Sequence, residues 1–428
     1  MKRYLKQAWG SLTKQPLLSM VSIVGTALTI FLIMIIVMID EVKVMSFSPE
    51  SNRDRWLVQM CASIGNKNWG STPDLNSANG PMAYSTIRRT FYEMKTPEAV
   101  TAFSITSTES LLSAKGKASF GANLLGTDHG FWKVMDFAFI SGHPYNDADV
   151  ESGLQVAVIN ETLARKLFDT TDCVGSEFSI NYTPYRVCGV VRDVSNLSSY
   201  AYADLWVPLT SNGSDKDEWL DHMGSFSAII LAKDKSDFPA IREEYKKVWD
   251  KFEDEVKTEG WEFYRRERPY DQFTAVNTTD AFHSPDMKSV ILHNLVVYAI
   301  LLLIPAINLS SMTQSRLQHR REEIGVRRAF GATRFDIMSD IFIESLIITI
   351  AAGIIGLLMS VTFIFLGGES VLADGADVSG LTFGMVFNPS VFGIAILFCF
   401  ILNLLSAIIP SWLASRTNIV NSLTGRNK

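Results

Sequence analysis

Residue patterns that could bind or transform a nucleotide are incomplete in this chain. Gly65 and Gly70 have the glycine spacing of a phosphate-binding loop, in which backbone N–H groups cradle phosphate and a lysine neutralises its charge. Ser71 and Thr72 stand where that loop needs the lysine. Serine-nucleophile motifs of the type Gly-x-Ser-x-Gly are missing, and the six histidines have no His-x3-His spacing. The sequence therefore predicts a non-catalytic chain without a cofactor or metal site.

A dense cationic segment, Arg320–Arg334, lies between two long apolar runs. Glutamates alternate with its arginines, and aliphatic and aromatic side chains are interspersed among them. Attraction to lipid phosphate alone would require neither the glutamates nor Phe330. Arginine and phenylalanine are common anchors of protein interfaces, so the composition favours docking into a groove on a protein partner. The alternative is a solvated, positively charged loop. The residues of this candidate interface are Glu322, Glu323, Ile324, Val326, Arg327, Arg328 and Phe330.

The elements that position this segment are apolar runs long enough to cross a membrane. About 20 residues span a hydrocarbon core of about 30 Å, and the sequence predicts four such spans, at residues 18–40, 289–312, 341–366 and 391–414. Ala352 and Gly356 would let another helix approach the third span closely. The fold class predicted is therefore an α-helical membrane protein with four transmembrane helices and a large α+β domain inserted between helices 1 and 2.

Charge places these spans in the membrane with one orientation. Lys and Arg precede the first span and fill the link 313–340, whereas the link 367–390 carries acids and no Lys or Arg. Because basic residues concentrate on the cytoplasmic side, the link 313–340 and both termini are expected in the cytoplasm. Residues 1–17 are predicted to form an amphipathic helix on the lipid surface, and 415–428 a cytoplasmic tail. Nucleic-acid binding is not expected, since the basic cluster sits in a short connection.

Residues 41–288 form one long external insertion, larger than a typical domain of about 100 to 150 residues, and two subdomains are expected in it. The apolar run 154–159 predicts a strand, and Asn160 can cap the helix that follows. Segments 177–181 and 185–191 predict a hairpin that turns at 182–184. Residues 237–257 have the helical spacing of apolar side chains typical of an amphipathic helix.

Cysteines in the external region would meet an oxidising compartment, where disulfides persist. Cys173 and Cys188 flank the predicted hairpin and could pair. Their offset does not make them cross-strand neighbours, so the bond is left open.

The cationic segment and its flanks resemble one known family, the MacB/FtsX-type (type VII) ABC transporter permeases. The resemblance runs from Asn308 to Glu344 and includes the sequence Arg-Arg-Glu-Glu-Ile-Gly-Val-Arg-Arg-Ala-Phe-Gly-Ala-Thr-Arg. External segments, including Val156–Ala164 and Gly189–Asp193, are similar to the family's MacB-like periplasmic domain. The closing segment Ile409–Ser415 is similar as well, so the likeness covers nearly the whole chain.

The resemblance implies a permease subunit of the bacterial inner membrane, with the large domain in the periplasm. A cytoplasmic ABC ATPase subunit, which would bind ATP and Mg²⁺, is expected to dock on residues 322–333 as a separate chain, because the first span begins at residue 18. A second permease copy would complete a homodimer. ATP-driven change would then reach the periplasmic domain by mechanical transmission and drive efflux or export of a periplasmic substrate such as a peptide or antibiotic. A periplasmic adaptor and an outer-membrane channel are further partners of this kind of export.

Two other functions remain open from the sequence. One is a lipoprotein-release or envelope-remodelling permease of the same family. The other is a membrane sensor or scaffold that signals without ATP. The sequence names neither the substrate nor the adaptor, and it does not distinguish a homodimer from a heterodimer.

Overall fold

The structure is a computed structural model that describes residues 16–66, 77–278, 281–319 and 321–368, with positions 394, 397, 398, 400 and 401. These residues divide into two compact units. The inserted unit is Lys43–Met287, and the helical unit holds the described residues before and after it. Outside the described residues lie positions 1–15 of the predicted helix at 1–17, most of the loop 367–390, most of the fourth span and the tail 415–428.

The elements follow one another in chain order. The helices are α1 (Pro16–Val42), α2 (Tyr84–Thr90), α3 (Phe131–Val134), α4 (Asp147–Glu151), α5 (Glu161–Phe168), α6 (Phe238–Val256), α7 (Gln272–Val276), α8 (Met287–His319), α9 (Arg321–Ala329) and α10 (Arg334–Phe363). The strands are β1 (Trp56–Gln59), β2 (Ala62–Asn66), β3 (Ser77–Gly80), β4 (Ala99–Ser104), β5 (Thr108–Ser113), β6 (Phe120–Thr127), β7 (Phe139–Gly142), β8 (Val156–Asn160), β9 (Glu177–Ile180), β10 (Thr183–Val191), β11 (Leu205–Pro208), β12 (Glu218–Leu220), β13 (Met223–Gly224), β14 (Phe226–Leu231), β15 (Trp261–Phe263) and β16 (Tyr270–Asp271).

Among the described residues, two helices are long and apolar enough to cross a membrane. They are Met20–Val42, within α1, and Phe335–Leu366, which is mostly α10. The second predicted span falls within the continuous helix α8. The apolar part of this helix, Met287–Leu301, is shorter than a membrane span requires. The described part of the chain thus contains two of the four predicted spans, and the other two stay predictions.

Helices α1 and α10 pack closely at small residues. A Cβ placed on Gly356 would lie 2.6 Å from the carbonyl oxygen of Ala27, so only glycine allows this approach. Ala352 is fully buried one turn earlier. Near one end of the contact the rings of Phe31 and Phe363 meet edge to face, with centroids 5.5 Å apart. The close approach predicted for the third span is confirmed at Gly356.

Six strands of the inserted unit close into a barrel. Going round it, β6 pairs with β5, β5 with β9, β9 with β10, β10 with β8, and β8 with β11. Strand β11 then pairs in parallel with β6, from Leu205 opposite Leu124 to Pro208 opposite Thr127, and completes the ring. One hydrophobic cluster takes side chains from all six strands and from α5. We identify this cluster as the barrel core, because alternate residues of a strand face the same side.

The rest of the inserted unit contains an antiparallel sheet that packs against α2 and α6 on one face, together with the three-stranded sheet β15-β2-β3 and the strand pair β12-β13. The strand order of the first sheet is β4-β14-β1-β16, and β4 joins the barrel through Phe103 opposite Thr127 on β6. The amphipathic helix predicted at 237–257 is confirmed as α6, which buries Ile241, Tyr245 and Trp249 against this sheet together with α2. A second cluster, built around Trp56 and Trp206, covers the opposite face.

Two local predictions near the barrel had different outcomes. The Asn160 cap is confirmed, since its side-chain oxygen accepts a hydrogen bond from the Leu163 amide at 2.7 Å. The predicted turn at 182–184 was wrong, because the turn residues are Asn181 and Tyr182, with φ of 48° and 69°. Positive φ at both central residues is the geometry of a two-residue hairpin, and asparagine favours it. Pro184 lies inside β10 opposite Ser179.

The disulfide between Cys173 and Cys188 is not formed, because both cysteines are free in the structure. Cys173 belongs to the barrel core, where Val187 also lies. Cys188 follows Val187 on β10 and packs against the cluster on the opposite face. Successive side chains on a strand point to opposite faces, so the barrel wall separates the two thiols.

Candidate functional site

The cationic segment forms the short helix α9, which ends in a defined cap. The amide of Phe330 donates to the carbonyl of Val326 at 3.1 Å, and the amide of Ala332 donates to the carbonyl of Arg327 at 3.1 Å. Gly331 between them has a φ of 95°. The bond from Ala332 to Arg327 across this glycine is the six-residue closing bond of a Schellman motif, in which a left-handed residue stops the helix.

A capping box begins the next helix only two residues later. The Thr333 hydroxyl accepts from the Asp336 amide at 3.2 Å, and the Asp336 carboxylate accepts from the Thr333 amide at 2.9 Å. Both ends of the connection between α9 and α10 are therefore held by hydrogen bonds. The turn sets the direction in which α9 leaves α10.

One face of α9 is anchored to the first turns of α10. The guanidinium of Arg327 donates to Glu323 at 2.6 Å and to Asp340 at 3.1 Å, and the second bond joins the two helices. Ile324 packs beside this pair against Ile337 and Ile341. Because Arg327 is 36% exposed, water screens the ion pairs, and the apolar contact adds to the anchoring.

The other face exposes apolar side chains. Phe330 is 88% exposed, Phe335 is 76% exposed and Val326 is 45% exposed. Two aromatic rings held near the same turn can fill pockets of a partner, and aromatic anchors dominate the energy of many interfaces. We call Val326, Phe330 and Phe335 the exposed apolar patch.

The structure sorts the predicted interface residues into two groups. Val326 and Phe330 belong to the exposed patch, whereas Glu323, Ile324 and Arg327 hold α9 against α10. The side chains of Glu322 and Arg328 lie outside the described residues. Their proposed contact with a partner therefore stays a prediction.

Asp340 and Phe335 are not among the interface residues predicted from the sequence. Asp340 is an acid at the start of a long apolar run, next to an arginine-rich segment, and this signal pointed to an ion pair. Phe335 follows the basic residue Arg334 at the start of α10. Its exposure depends on the capped turn, which a periodicity argument does not reveal.

Comparison with known proteins finds a family model that matches each of the two parts of the chain. Residues 19–248 match the family model of the MacB-like periplasmic core domain, and residues 295–419 match the FtsX-like permease C-terminal model. The uncharacterized ABC transporter permease YknZ of Bacillus subtilis is 24% identical over 253 residues, which are 59% of this chain and 59% of that protein. The macrolide export ATP-binding/permease protein MacB of Bdellovibrio bacteriovorus is 25% identical over 267 residues.

The match to the MacB relative takes in 58% of this chain and 38% of that protein. The chain thus spans about two fifths to three fifths of the length of these curated relatives. Among solved structures, the periplasmic region of MacB from Actinobacillus actinomycetemcomitans aligns at 21% identity with a TM-score of 0.34, over 52% of this chain and 96% of that one.

Proposed function

The chain belongs to the family of MacB- and FtsX-type ABC transporter permeases, and from this premise we propose that it couples an ATPase to a periplasmic domain. In this proposal a cytoplasmic ABC ATPase docks on α9, and its ATP-driven movement passes through the helices to the inserted unit. The movement drives efflux or export of a periplasmic substrate such as a peptide or antibiotic. The protein then works in the inner membrane, with the inserted unit in the periplasm and both termini in the cytoplasm.

The observation that carries this proposal is the two-sided character of α9. Its inner face is tied to α10 by Arg327 and Ile324, while Val326 and Phe330 are exposed on the other side. A solvated positive loop would need neither the anchored face nor the apolar one. A docking element that transmits force needs both.

The helical unit offers a mechanical path from α9. A displacement of α9 would act on α10 through the capped turn and the Arg327–Asp340 ion pair. Helix α10 would act on α1 through the close contact at Gly356. Helix α1 ends at Val42, and the inserted unit begins at the next residue.

The proposal assigns ATP and Mg²⁺ to a separate ATPase chain. The MacB relative has a name that covers an ATP-binding and a permease part, and this chain matches 38% of its length. A second permease copy, a periplasmic adaptor and an outer-membrane channel complete the proposed assembly. Names of the macrolide exporters among the relatives support efflux over lipoprotein release.

Co-purification from native membranes tests the docking step. Full-length tagged chain is captured, and recovered ATPase subunits are identified by mass spectrometry. Phe330→Ser should lower recovery by about fivefold or more, because it removes an exposed aromatic anchor. Phe273→Ser is the matched control, since Phe273 is 41% exposed in the inserted unit.

Recovery of an ATPase with the wild-type chain and the control, but much less with Phe330→Ser, supports the proposal. Absence of any ATPase with the wild-type chain would favour the sensor or scaffold alternative. Equal recovery with both variants would remove Phe330 from the interface.

A further inference from the structure

A cavity of about 700 Å³ lies within the inserted unit. One wall comes from α2, the turn that follows it and the start of β4. The other comes from His129, α4 and the segment 210–215. Sites for small organic ligands typically measure about 300 to 1,000 Å³. We call this cavity the acidic cleft.

Carboxylates outnumber cationic groups among the residues that line the acidic cleft. Glu98 pairs with Arg55, and Asp147 pairs with His129 at 2.9 Å. Among the residues that the structure describes, the other two carboxylates form no ion pair. These two are Glu151 and Asp215, and the opposing charge on the lining is that of Arg88.

One carboxylate oxygen of Asp215 is buried without a hydrogen-bond donor among the described residues. This Oδ1 atom is shielded from solvent, and no described residue donates a hydrogen bond to it. A carboxylate oxygen removed from water without a donor is costly, because its hydration is lost and nothing replaces it. Because this oxygen is shielded from solvent, a cation in the cleft would act on the Asp215 carboxylate through its charge and not through a hydrogen bond to Oδ1.

The aromatic wall of the cleft suits an organic cation. The rings of Tyr84 and Tyr92 meet edge to face, with centroids 6.3 Å apart. The Tyr92 hydroxyl donates to Asp128, a fully buried carboxylate that also accepts from Thr101 at 2.6 Å. Ring faces attract cations.

The nearby carboxylates also affect the pKa of Tyr84 in the aromatic wall. Burial, followed by the charge of Asp128, raises the pKa of Tyr84 to about 12, and Asp147 contributes in the same direction. Burial is the largest cause of this shift, and only the smaller contribution of the carboxylates reflects a charge that would attract a cation.

We propose that the acidic cleft binds an organic cation, in which an ammonium or guanidinium group stands beside an apolar or aromatic group. The charged group would meet Asp215 and Glu151, and the apolar group would lie against Tyr84. A bare metal ion is a poorer occupant, because no group of three or more metal-ligating acids, histidines or cysteines occurs among the described residues. This site is separate from α9, so the inference does not depend on ATPase docking.

Equilibrium dialysis of the full-length chain in detergent, without nucleotide or ATPase, tests the inference. The probe is the dipeptide amide Phe-Arg-NH₂, and its neutral counterpart is N-acetyl-Phe-norleucine amide. The wild-type chain should bind the cationic probe about tenfold or more tightly than the neutral one, because only the cation meets the unpaired carboxylates. Added salt should weaken binding of the cation more than binding of the neutral compound.

A matched pair of double variants locates the binding. Glu151→Gln with Asp215→Asn removes both free carboxylates of the cleft and should weaken binding of the cation about tenfold or more. Glu243→Gln with Asp254→Asn removes two exposed carboxylates of α6 and changes net charge equally. This second pair should leave the affinity unchanged.

The inference is overturned if the wild-type chain binds both probes equally or not at all. It is also overturned if both double variants weaken binding to the same extent, because the cation would then respond to overall charge. ATPase recovery in the docking experiment is a separate readout. Either proposal can therefore fail while the other stands.

Discussion

At the scale of single residues, the structure gives Arg327 contacts within the helical unit that the sequence did not predict. The predicted contact of Arg327 with a partner stays a prediction. In the structure Arg327 bonds Glu323 and Asp340 and holds α9 in place. Phe330, 88% exposed, is the better candidate for direct contact. Residue type and spacing identified the segment. They did not show which of its side chains contact α10 and which are exposed.

The cysteines of the barrel give a prediction about reactivity. Burial raises the pKa of Cys188 to about 12, and burial with the Asp172 charge raises that of Cys173. Because the thiolate is the reactive form, a raised pKa lowers the reactive fraction at any pH below it. In the native chain both thiols should resist iodoacetamide near neutral pH, and Cys188 should become reactive only as the pH approaches 12.

Mass spectrometry of the alkylated chain checks this expectation. After denaturation without reductant, both cysteines should be modified, since they are free. A cysteine introduced at an exposed position by Ser152→Cys is the control and should react in the native chain. A peptide in which Cys173 and Cys188 are linked would contradict the structure.

At the scale of elements, two predictions that depend on residues close together in the sequence were confirmed. The Asn160 cap and the apolar spacing of α6 were predicted because each depends on neighbouring residues. The hairpin turn was misplaced because Pro184 was taken as a turn residue, while Asn181, which tolerates positive φ, was assigned to a strand. The hydrogen bonds that cap α9 are seen only in the structure.

The packing of α1 on α10 gives a prediction at this scale. Gly356→Leu should destabilise the full-length chain in detergent by about 1 to 3 kcal/mol, because the new side chain meets the Ala27 carbonyl. Thermal unfolding of the purified chain measures the effect. Ile354→Phe adds bulk on a side chain that is 56% exposed and should change stability little. Equal effects of the two variants would mean that the helices do not pack at Gly356.

At the scale of the whole molecule, the sequence predicted the apolar runs and an α+β insertion but not a closed barrel. Barrel closure depends on β11 pairing with β6, two strands far apart in the chain. Periodicity shows that each strand has a buried face, yet it does not say which strands are neighbours. The continuous core of the barrel required the complete set of pairings.

A buried ion pair connects distant parts of the inserted unit and gives a prediction at this scale. Glu50 and Arg53 are both fully buried and lie 2.7 Å apart. Glu50 also accepts from the amides of Tyr200 and Ala201, and Arg53 donates to the carbonyl of Leu197. The segment after α1 is thereby tied to the loop between β10 and β11.

Neutralising this pair should be costly. Glu50→Gln leaves the Arg53 charge buried without its counter-ion and should lower the free energy of unfolding by about 3 to 5 kcal/mol. Glu255→Gln breaks an exposed pair with Arg89 and should cost about 1 kcal/mol or less. Thermal unfolding followed by tryptophan fluorescence compares the two. A small effect of Glu50→Gln would mean that water reaches Arg53.

The barrel also sets an order for assembly of the newly made chain. Leu205 of β11 lies opposite Leu124 of β6, so the last seam cannot close until both strands are available. If the inserted unit reaches its compartment from its N-terminal end, β6 waits with an unpaired edge while the intervening strands arrive. Non-local pairings of this kind are slow to form, and open strand edges invite pairing with other chains. The barrel that is free of edges when finished is therefore most vulnerable to aggregation just before its final strand docks.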